Sequence, residues 1–280
     1  MSKVLVIGAG TMGSGIAQVI AQGNHDVTLF DQSEQQIEKG KAVIEKQLGS
    51  LVKKEKMSEE DKQATLNRIT ATSMKPTGVF DVIIEAVPEN KEIKKAVFQD
   101  MESISDENTI LATNTSSISI SEIASYVEKS DQVIGLHFFN PPIVMQLVEV
   151  IRGQRTKDSI VTESKSFIES IGKVAVEVNE APGFVVNRVL VPMINESIFL
   201  LGEGVASAEE IDKSMKLGAN HPIGPLSLAD LIGLDVCLHV MEVLYDEFSD
   251  SKYRPAPLLR KMVRSGYLGR KTQKGIFEYK

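Results

Sequence analysis

The chain has 280 residues, a formal net charge of −7 and a single cysteine, Cys237. The negative balance argues against nucleic acid or a membrane surface as the main partner, and one cysteine excludes an internal disulfide framework. The most apolar later stretch, residues 184–201, is interrupted by polar and charged side chains and does not suit a membrane span. We therefore expect a cytoplasmic protein of one large or two moderate domains.

The first element is a short apolar strand that runs directly into glycines. Residues 4–7 predict a buried strand, and Gly8-Ala9-Gly10-Thr11-Met12-Gly13 then carries the spacing of a dinucleotide-binding turn. Gly8 permits the tight bend, Gly10 lets a pyrophosphate approach the backbone, and Gly13 lets the next helix pack close to the sheet. The free N–H groups at the start of that helix, around Thr11 and Met12, then face the phosphates.

A second predicted strand, residues 27–30, ends in Asp31. In this position a carboxylate accepts a hydrogen bond from an adenosine ribose and repels a 2′-phosphate, which favours NAD over NADP. The alternative is an ordinary βαβ unit without a ligand. The strand before the glycines and the helix after them make that alternative the weaker interpretation.

Strand and helix patterns alternate up to residue 178. Helices are predicted over residues 16–22, 34–56, 58–68, 91–101, 119–126 and 157–171. Further strands are predicted over residues 69–71, 82–87, 110–113, 133–136, 147–151 and 174–178. This alternation indicates an α/β fold with a Rossmann-type doubly wound, mostly parallel sheet.

The pattern changes at Ala181-Pro182-Gly183, after which the apolar periodicity is helical. Helices are predicted over residues 184–202, 207–217, 226–248 and 257–265. We therefore expect an NAD-binding domain over residues 1–182 and an all-helical C-terminal domain over residues 183–280.

Four histidines are candidates for the base that takes the hydroxyl proton when an alcohol is oxidised, because imidazole titrates near neutrality. His25 is expected in a solvated turn and His239 in helix packing. His221 lies in a loop rich in proline and glycine, and the sequence does not give its distance from the cofactor. His137 instead ends a parallel strand, at the edge where doubly wound sheets bind their ligands.

Glu149 is the expected partner of His137. It is a carboxylate in the apolar strand 147–151, and a buried carboxylate needs a partner. A His–Glu pair fixes the imidazole tautomer and stabilises the imidazolium that forms on proton capture. On the sequence pattern alone, it is an equal alternative that His137 and Glu149 do not contact each other.

Two polar stretches border the same predicted edge. Asn114-Thr115-Ser116-Ser117 follows the strand 110–113, and its hydroxyls suit either a substrate oxygen or the cap of the next helix. Pro88-Glu89-Asn90 follows the strand 82–87 and suits either the ligand crevice or a helix N-cap. The residues alone leave both choices open.

Taken together, these motifs resemble the L-3-hydroxyacyl-CoA dehydrogenase family. The resemblance covers essentially the whole chain, and its most specific parts are His137-Phe138-Phe139-Asn140-Pro141-Pro142 and the block from Pro182 to Arg188. Other matching stretches are residues 8–13, 85–89, 114–117, 147–150, 269–272 and 275–279. The length is similar to that of bacterial members that act on 3-hydroxybutyryl-CoA and carry no fused hydratase domain.

The resemblance implies roles for individual residues. His137 would be the general base, Glu149 its orienting partner, and Ser116 and Asn187 the groups that hold the 3-oxygen of the substrate and its neighbourhood. The positions implied to contact NAD, besides those of the glycine turn and Asp31, are Glu89, Lys94, Asn114, Asn140 and Lys271. The positions implied to meet coenzyme A are Ser50, Lys53, Lys54 and Lys56, for which a solvated helix face is the alternative.

The implied activity is NAD-dependent interconversion of (S)-3-hydroxyacyl-CoA and 3-ketoacyl-CoA, with fatty acid and butanoate metabolism as its setting. The resemblance also implies a homodimer or higher homo-oligomer formed through the helical domain, and no metal. Two other interpretations remain: a sugar-acid dehydrogenase of the gulonate type, and a non-catalytic NAD-binding protein.

Overall fold

The computed structural model describes residues 1–279, which divide into two compact units, Met1–Glu180 and a second that begins at Ala181. In the first unit one sheet has the strands β1 (Lys3–Ile7), β2 (Asp26–Phe30), β3 (Ile69–Thr72), β4 (Val82–Glu85), β5 (Ile110–Thr113), β6 (Val133–Phe138), β7 (Leu147–Arg152) and β8 (Val174–Asn179). Its helices are α1 (Thr11–Gln22), α2 (Glu34–Lys53), α3 (Glu59–Asn67), α4 (Lys91–Ser103), α5 (Ile120–Ala124) and α6 (Asp158–Ser170).

The strand order is β3-β2-β1-β4-β5-β6-β7-β8, and every neighbouring pair is parallel except β6 and β7. The order reverses between β1 and β4, which is where doubly wound sheets open a ligand crevice at the carboxyl ends of their strands. Every residue of β4, β5 and β6 is buried, as expected for parallel strands covered on both faces. The predicted Rossmann-type fold is confirmed.

The second unit is helical, with α7 (Val186–Gly202), α8 (Ala208–Gly218), α9 (Pro225–Ile232), α10 (Leu234–Phe248) and α11 (Pro257–Arg264). Its core includes Ile194, Leu226, Cys237 and Met241, each fully buried. The predicted all-helical C-terminal part is therefore also confirmed. None of the helices among residues 1–279 has the length and apolar character needed to cross a bilayer.

The single helix predicted over residues 226–248 is wrong. The chain breaks at Gly233, where φ is +110°, so that α9 ends and α10 begins on either side of one residue. Only glycine adopts this backbone conformation without strain. The apolar periodicity carries on across the break because both helices bury their apolar faces in the same core, and this continuity hid the bend.

Three helix boundaries differ from the predictions by a few residues. The first helix begins at Thr11 rather than residue 16, directly after the glycine turn, and α7 begins at Val186 rather than residue 184. Ser58 caps α3, since its Oγ accepts the Asp61 N–H at 2.9 Å. α2 ends at Lys53, three residues before the predicted end.

Candidate active site

The glycine turn has the close contacts that its spacing predicts. Gly8 has φ +106°, and a Cβ there would lie 2.6 Å from the carbonyl oxygen of Ala86. A Cβ on Gly13 would lie 1.7 Å from the carbonyl oxygen of Gly8, so any side chain would force α1 away from the turn. A Cβ on Gly10 would meet nothing within 4 Å. The backbone at Gly10 therefore faces open space at the start of α1, where a pyrophosphate can approach it.

Asp31 supports the glycine turn from the end of β2. Its Oδ2 accepts the N–H of Ala9 at 2.9 Å, and its Oδ1 accepts the N–H of Ser33 at 2.9 Å. Each carboxylate oxygen has two lone pairs, so both keep an acceptor site for a further donor. This arrangement suits the predicted ribose contact and at the same time fixes the position of the turn.

A cavity of about 530 Å³ opens beside Gly10 and Asp31. It is lined mainly by apolar side chains, among them Phe30, Val87 and Ile93. A cavity with mainly apolar walls, the Asp31 carboxylate and the start of α1 at one side fits an adenosine diphosphate moiety. The residues present therefore fit the NAD that the sequence predicts.

His137 and Glu149 are cross-strand neighbours on β6 and β7. The imidazole Nδ1 lies 2.8 Å from Glu149 Oε2, and the two side chains are 6% and 1% exposed. Because a carboxylate only accepts, the contact places the proton on Nδ1 and leaves Nε2 as the atom that can take a proton from a ligand. The predicted contact is confirmed, and its catalytic role stays a prediction.

The surroundings of His137 restrict its ring. Phe139 packs against it with ring centroids 4.5 Å apart. β6 extends to Phe138, so His137 lies one residue inside the strand rather than at its end. The ring is thus held by the sheet, by Glu149 and by an aromatic neighbour.

The loop after β5 is organised by Glu89. This carboxylate accepts the N–H groups of Ser116 and Ser117, both at 3.1 Å, and the hydroxyls of Thr115 and Ser117. Helix α5 is capped by Ser119, and α4 by Asn90, so neither Ser116 nor Glu89 serves as a cap. Burial opposes ionisation of Glu89, but the charge of Lys94 and these hydrogen bonds outweigh it and lower the pKa of the carboxyl.

Lys94 lies beneath this loop. Its Nζ contacts both carboxylate oxygens of Glu85, at 2.7 and 2.8 Å, and Oε2 of Glu89 at 3.2 Å, and its side chain is 1% exposed. The expected contact of Lys94 with NAD stays a prediction. In the structure the amine is directed at two carboxylates and acts on the loop through Glu89.

Glu85 is a buried residue of the site that the sequence reasoning did not select. It is fully buried at the end of β4, and it also accepts the Thr113 hydroxyl at 2.7 Å and the Val87 N–H at 2.8 Å. The signal was present, because a carboxylate in the apolar run 82–87 demands a partner by the same criterion that selected Glu149.

Asn114 connects the loop to the strand that carries His137. Its Oδ1 accepts the Phe138 N–H at 2.9 Å, and its own N–H donates to the Glu85 carbonyl at 2.8 Å. Asn140 is exposed in the turn after β6. Lys53, Lys54 and Lys56 are exposed around the end of α2, with Ser50 half-buried one turn earlier.

The two remaining predicted residues belong to the second unit. Asn187 lies in the first turn of α7 and is half-buried. Lys271 is exposed in the short 3-10 helix Arg270–Thr272, where its Nζ lies 2.6 Å from Oδ2 of Asp235.

Two histidine predictions are wrong. His25 is buried, 6% exposed, and its Nδ1 accepts the Ser2 N–H while its Nε2 contacts the Ser170 hydroxyl. His239, expected in helix packing, lies on the exposed face of α10. Both errors arise because burial is decided by elements distant in sequence.

Comparison with known proteins gives a consistent result. The family models "3-hydroxyacyl-CoA dehydrogenase, NAD binding domain" and "3-hydroxyacyl-CoA dehydrogenase, C-terminal domain" match residues 3–181 and 183–279. The 3-hydroxybutyryl-CoA dehydrogenase of Clostridioides difficile is 52% identical over 278 residues, 99% of each chain. The human mitochondrial hydroxyacyl-coenzyme A dehydrogenase is 40% identical over 289 residues, covering 100% of this chain and 92% of that one.

A solved structure shows the same similarity in three dimensions. The crystal structure of (S)-3-hydroxybutyryl-CoA dehydrogenase from Ralstonia eutropha superposes with a TM-score of 0.94 at 49% identity, and the match covers 99% of each chain.

Proposed function

The chain belongs to the 3-hydroxyacyl-CoA dehydrogenase family, and on that premise we propose that it interconverts (S)-3-hydroxybutyryl-CoA and acetoacetyl-CoA. The single observation that carries the proposal is the buried His137–Glu149 contact of 2.8 Å in the unit that holds the NAD-binding turn. The relatives reported above are named for acyl-CoA substrates, which supports this activity over a sugar-acid substrate.

NAD, when bound, accepts the hydride from C3 of the hydroxyacyl chain or returns it. The residues proposed to hold it are those of the glycine turn with Asp31, together with Glu89, Lys94, Asn114, Asn140 and Lys271. The chemistry left to the protein is transfer of one proton and orientation of the reacting oxygen.

His137 performs the proton transfer in this proposal. Its Nε2 takes the hydroxyl proton during oxidation and returns a proton to the keto oxygen during reduction. Glu149 holds Nδ1 and stabilises the positive charge that the ring gains. The hydroxyl of Ser116 and the amide of Asn187 orient the 3-oxygen, and the thioester takes no part in bond breaking.

The coenzyme A portion is proposed to meet Ser50 and the lysines at the end of α2. Alanine at Lys53, Lys54 or Lys56 should raise KM for acetoacetyl-CoA at low salt, because each removes a cation near the 3′-phosphate. The same changes should leave acetoacetyl-pantetheine, which lacks that phosphate, nearly unaffected. Lys165→Ala is the control, since Lys165 is a half-buried lysine of α6 that pairs with Glu177. Equal effects on both substrates would show that the lysines at the end of α2 belong only to a solvated helix face.

The helical unit is proposed to form a homodimer. Support comes from large apolar side chains exposed on it, with Val189 at 69%, Leu217 at 77% and Leu231 at 52%; where such side chains are contiguous, they mark association surfaces. Light scattering of the purified protein tests the dimer.

We further propose a cytoplasmic location and a place in fatty acid and butanoate metabolism.

The test of the main proposal is a substrate comparison with the purified protein. We expect NADH oxidation with acetoacetyl-CoA, slower reaction with longer 3-ketoacyl-CoAs, and NAD reduction with (S)- but not (R)-3-hydroxybutyryl-CoA. Turnover of gulonate with no turnover of acetoacetyl-CoA would instead favour the sugar-acid alternative, and no hydride transfer with any of them would favour a binding protein.

A further inference from the structure

The lining of the cavity beside the glycine turn includes more than the residues assigned to the pyrophosphate and the ribose. It also includes Val97, Asp100, Met101 and Ile104, which come from α4 and the residue after it. Lys75 and Pro76 line the cavity as well, and Lys75 contacts Asp100 of α4. This part of the cavity is therefore a gap between a helix and a loop.

The loop is the connection between β3 and β4. No helix is assigned to residues 73–81, although parallel strands are usually joined by one. One wall of the cavity is thus irregular backbone, while the other is a regular helix.

One ion pair joins the two walls. Lys75 Nζ lies 2.6 Å from Asp100 Oδ1, and the side chains are 58% and 57% exposed. Both residues also line the cavity. The pair therefore spans the mouth of the gap and holds the loop against α4.

The ligand end that reaches this gap follows from the anchor points. The glycine turn fixes the pyrophosphate and Asp31 the adenosine ribose, so the adenine base extends beyond Asp31. The apolar side chains of Val97 and Met101 suit the faces of a flat aromatic base.

We propose that Lys75 and Asp100 form a clasp across the adenine end of the NAD cleft and that their ion pair slows the release of NAD(H). The clasp rests on the NAD binding that the proposed function requires. It acts by holding the loop wall in place around the base, so that opening the loop must first break the ion pair.

The test is a double-mutant cycle on cofactor release. Lys75→Met, Asp100→Asn and the double variant are compared with the unmodified protein by stopped-flow fluorescence of bound NADH. Each single change should raise the NADH dissociation rate about two- to fivefold, the range for an exposed ion pair. The double variant should release NADH no faster than either single one, because the two side chains act as a pair.

Two further measurements identify the adenine end and the pair itself. Reduced nicotinamide mononucleotide lacks the adenosine half and should bind all variants equally. The exchanged variant, Lys75→Asp with Asp100→Lys, should recover slow release. A matched control is the ion pair of Lys157 and Asp131, which lies 2.8 Å apart with similar exposure and away from the cavity lining; Lys157→Met should leave release unchanged.

The clasp is overturned if Asp100→Asn leaves the release rate unchanged or slows it, since Lys75 would then act on the cofactor phosphates directly. Additive single effects, or equal weakening of the mononucleotide, overturn it as well. Failure of the clasp proposal would not contradict the proposed function, which is tested separately by turnover of acetoacetyl-CoA in the unmodified protein.

Discussion

The contact between His137 and Glu149 leads to the sharpest expectation about activity. His137→Gln removes the proposed proton carrier, and Glu149→Gln keeps the shape of the pair but removes its negative charge. Both side chains are almost completely buried, so water cannot replace either partner effectively. We therefore expect the loss of either group to lower the rate of the chemical step.

The magnitudes follow from the kind of contact. General acid–base catalysis by a positioned side chain contributes roughly 10²–10⁴-fold, so kcat of His137→Gln should fall by that factor. A hydrogen bond to a charged group contributes about 1.5–3 kcal/mol, and each 1.36 kcal/mol is tenfold in rate. Glu149→Gln should therefore lower kcat on the order of 10- to 100-fold. The double variant should resemble His137→Gln alone, because Glu149 acts through the imidazole.

The assay is NADH oxidation with saturating acetoacetyl-CoA, alongside NADH affinity by fluorescence and folding by circular dichroism. The chain offers a matched control in His25, which is also buried and hydrogen-bonded. His25 directly precedes β2 and so lies at the amino-terminal end of its strand, whereas His137 lies near the carboxyl end of β6. His25→Gln should leave kcat unchanged. If both His137→Gln and Glu149→Gln fold and turn over acetoacetyl-CoA at nearly the wild-type rate, the proton-transfer reasoning is refuted.

Three other expectations are independent of that pair. Asp31→Ser should narrow the preference for NADH over NADPH by about 1–3 kcal/mol, because it removes a carboxylate that repels the 2′-phosphate; equal kcat/KM for both cofactors in the unmodified protein would contradict the ribose assignment. Burial, aided by the nearby N-terminal charge, lowers the pKa of His25 below 6.5, so the unfolded chain binds the proton more readily and the free energy of unfolding should decrease as pH falls below about 6.5. Urea unfolding at pH 7.5 and 5.5 should show a smaller decrease in His25→Gln. Burial, and then the charge of Asp235, raise the pKa of the Cys237 thiol to about 12, so iodoacetamide should modify it only after unfolding; rapid labelling of the native protein would disprove its burial.

The sheet could be predicted from the sequence because its strands are short apolar runs between turn signals. A short apolar run such as residues 110–113 predicts a buried strand in a chain that alternates strands with helices. The bounds were less certain. β6 continues two residues beyond the predicted end because its pairing with β7 extends to Phe138, and the sequence of β6 does not reveal where its partner stops.

The candidate site could be predicted where a short local pattern carries the signal, as in the glycine turn and in a strand with one carboxylate. A carboxylate in an apolar strand identified Glu149, and the same criterion identifies Glu85 at the end of β4. The burial of His25 could not be inferred in this way, because its Nε2 partner Ser170 is 145 residues away. Contacts between residues so distant in sequence depend on how the helices pack against the sheet.

The register of β6 against β7 has a consequence for how members of such a family can diverge. The proposed proton-transfer pair lies wholly within the first unit, on adjacent strands joined by backbone hydrogen bonds. Substitutions in the second unit, which begins at Ala181, therefore need not alter the contact between His137 and Glu149. Preferences for new acyl groups would then evolve by substitutions in the helical unit, while the His137–Glu149 contact in the sheet is retained.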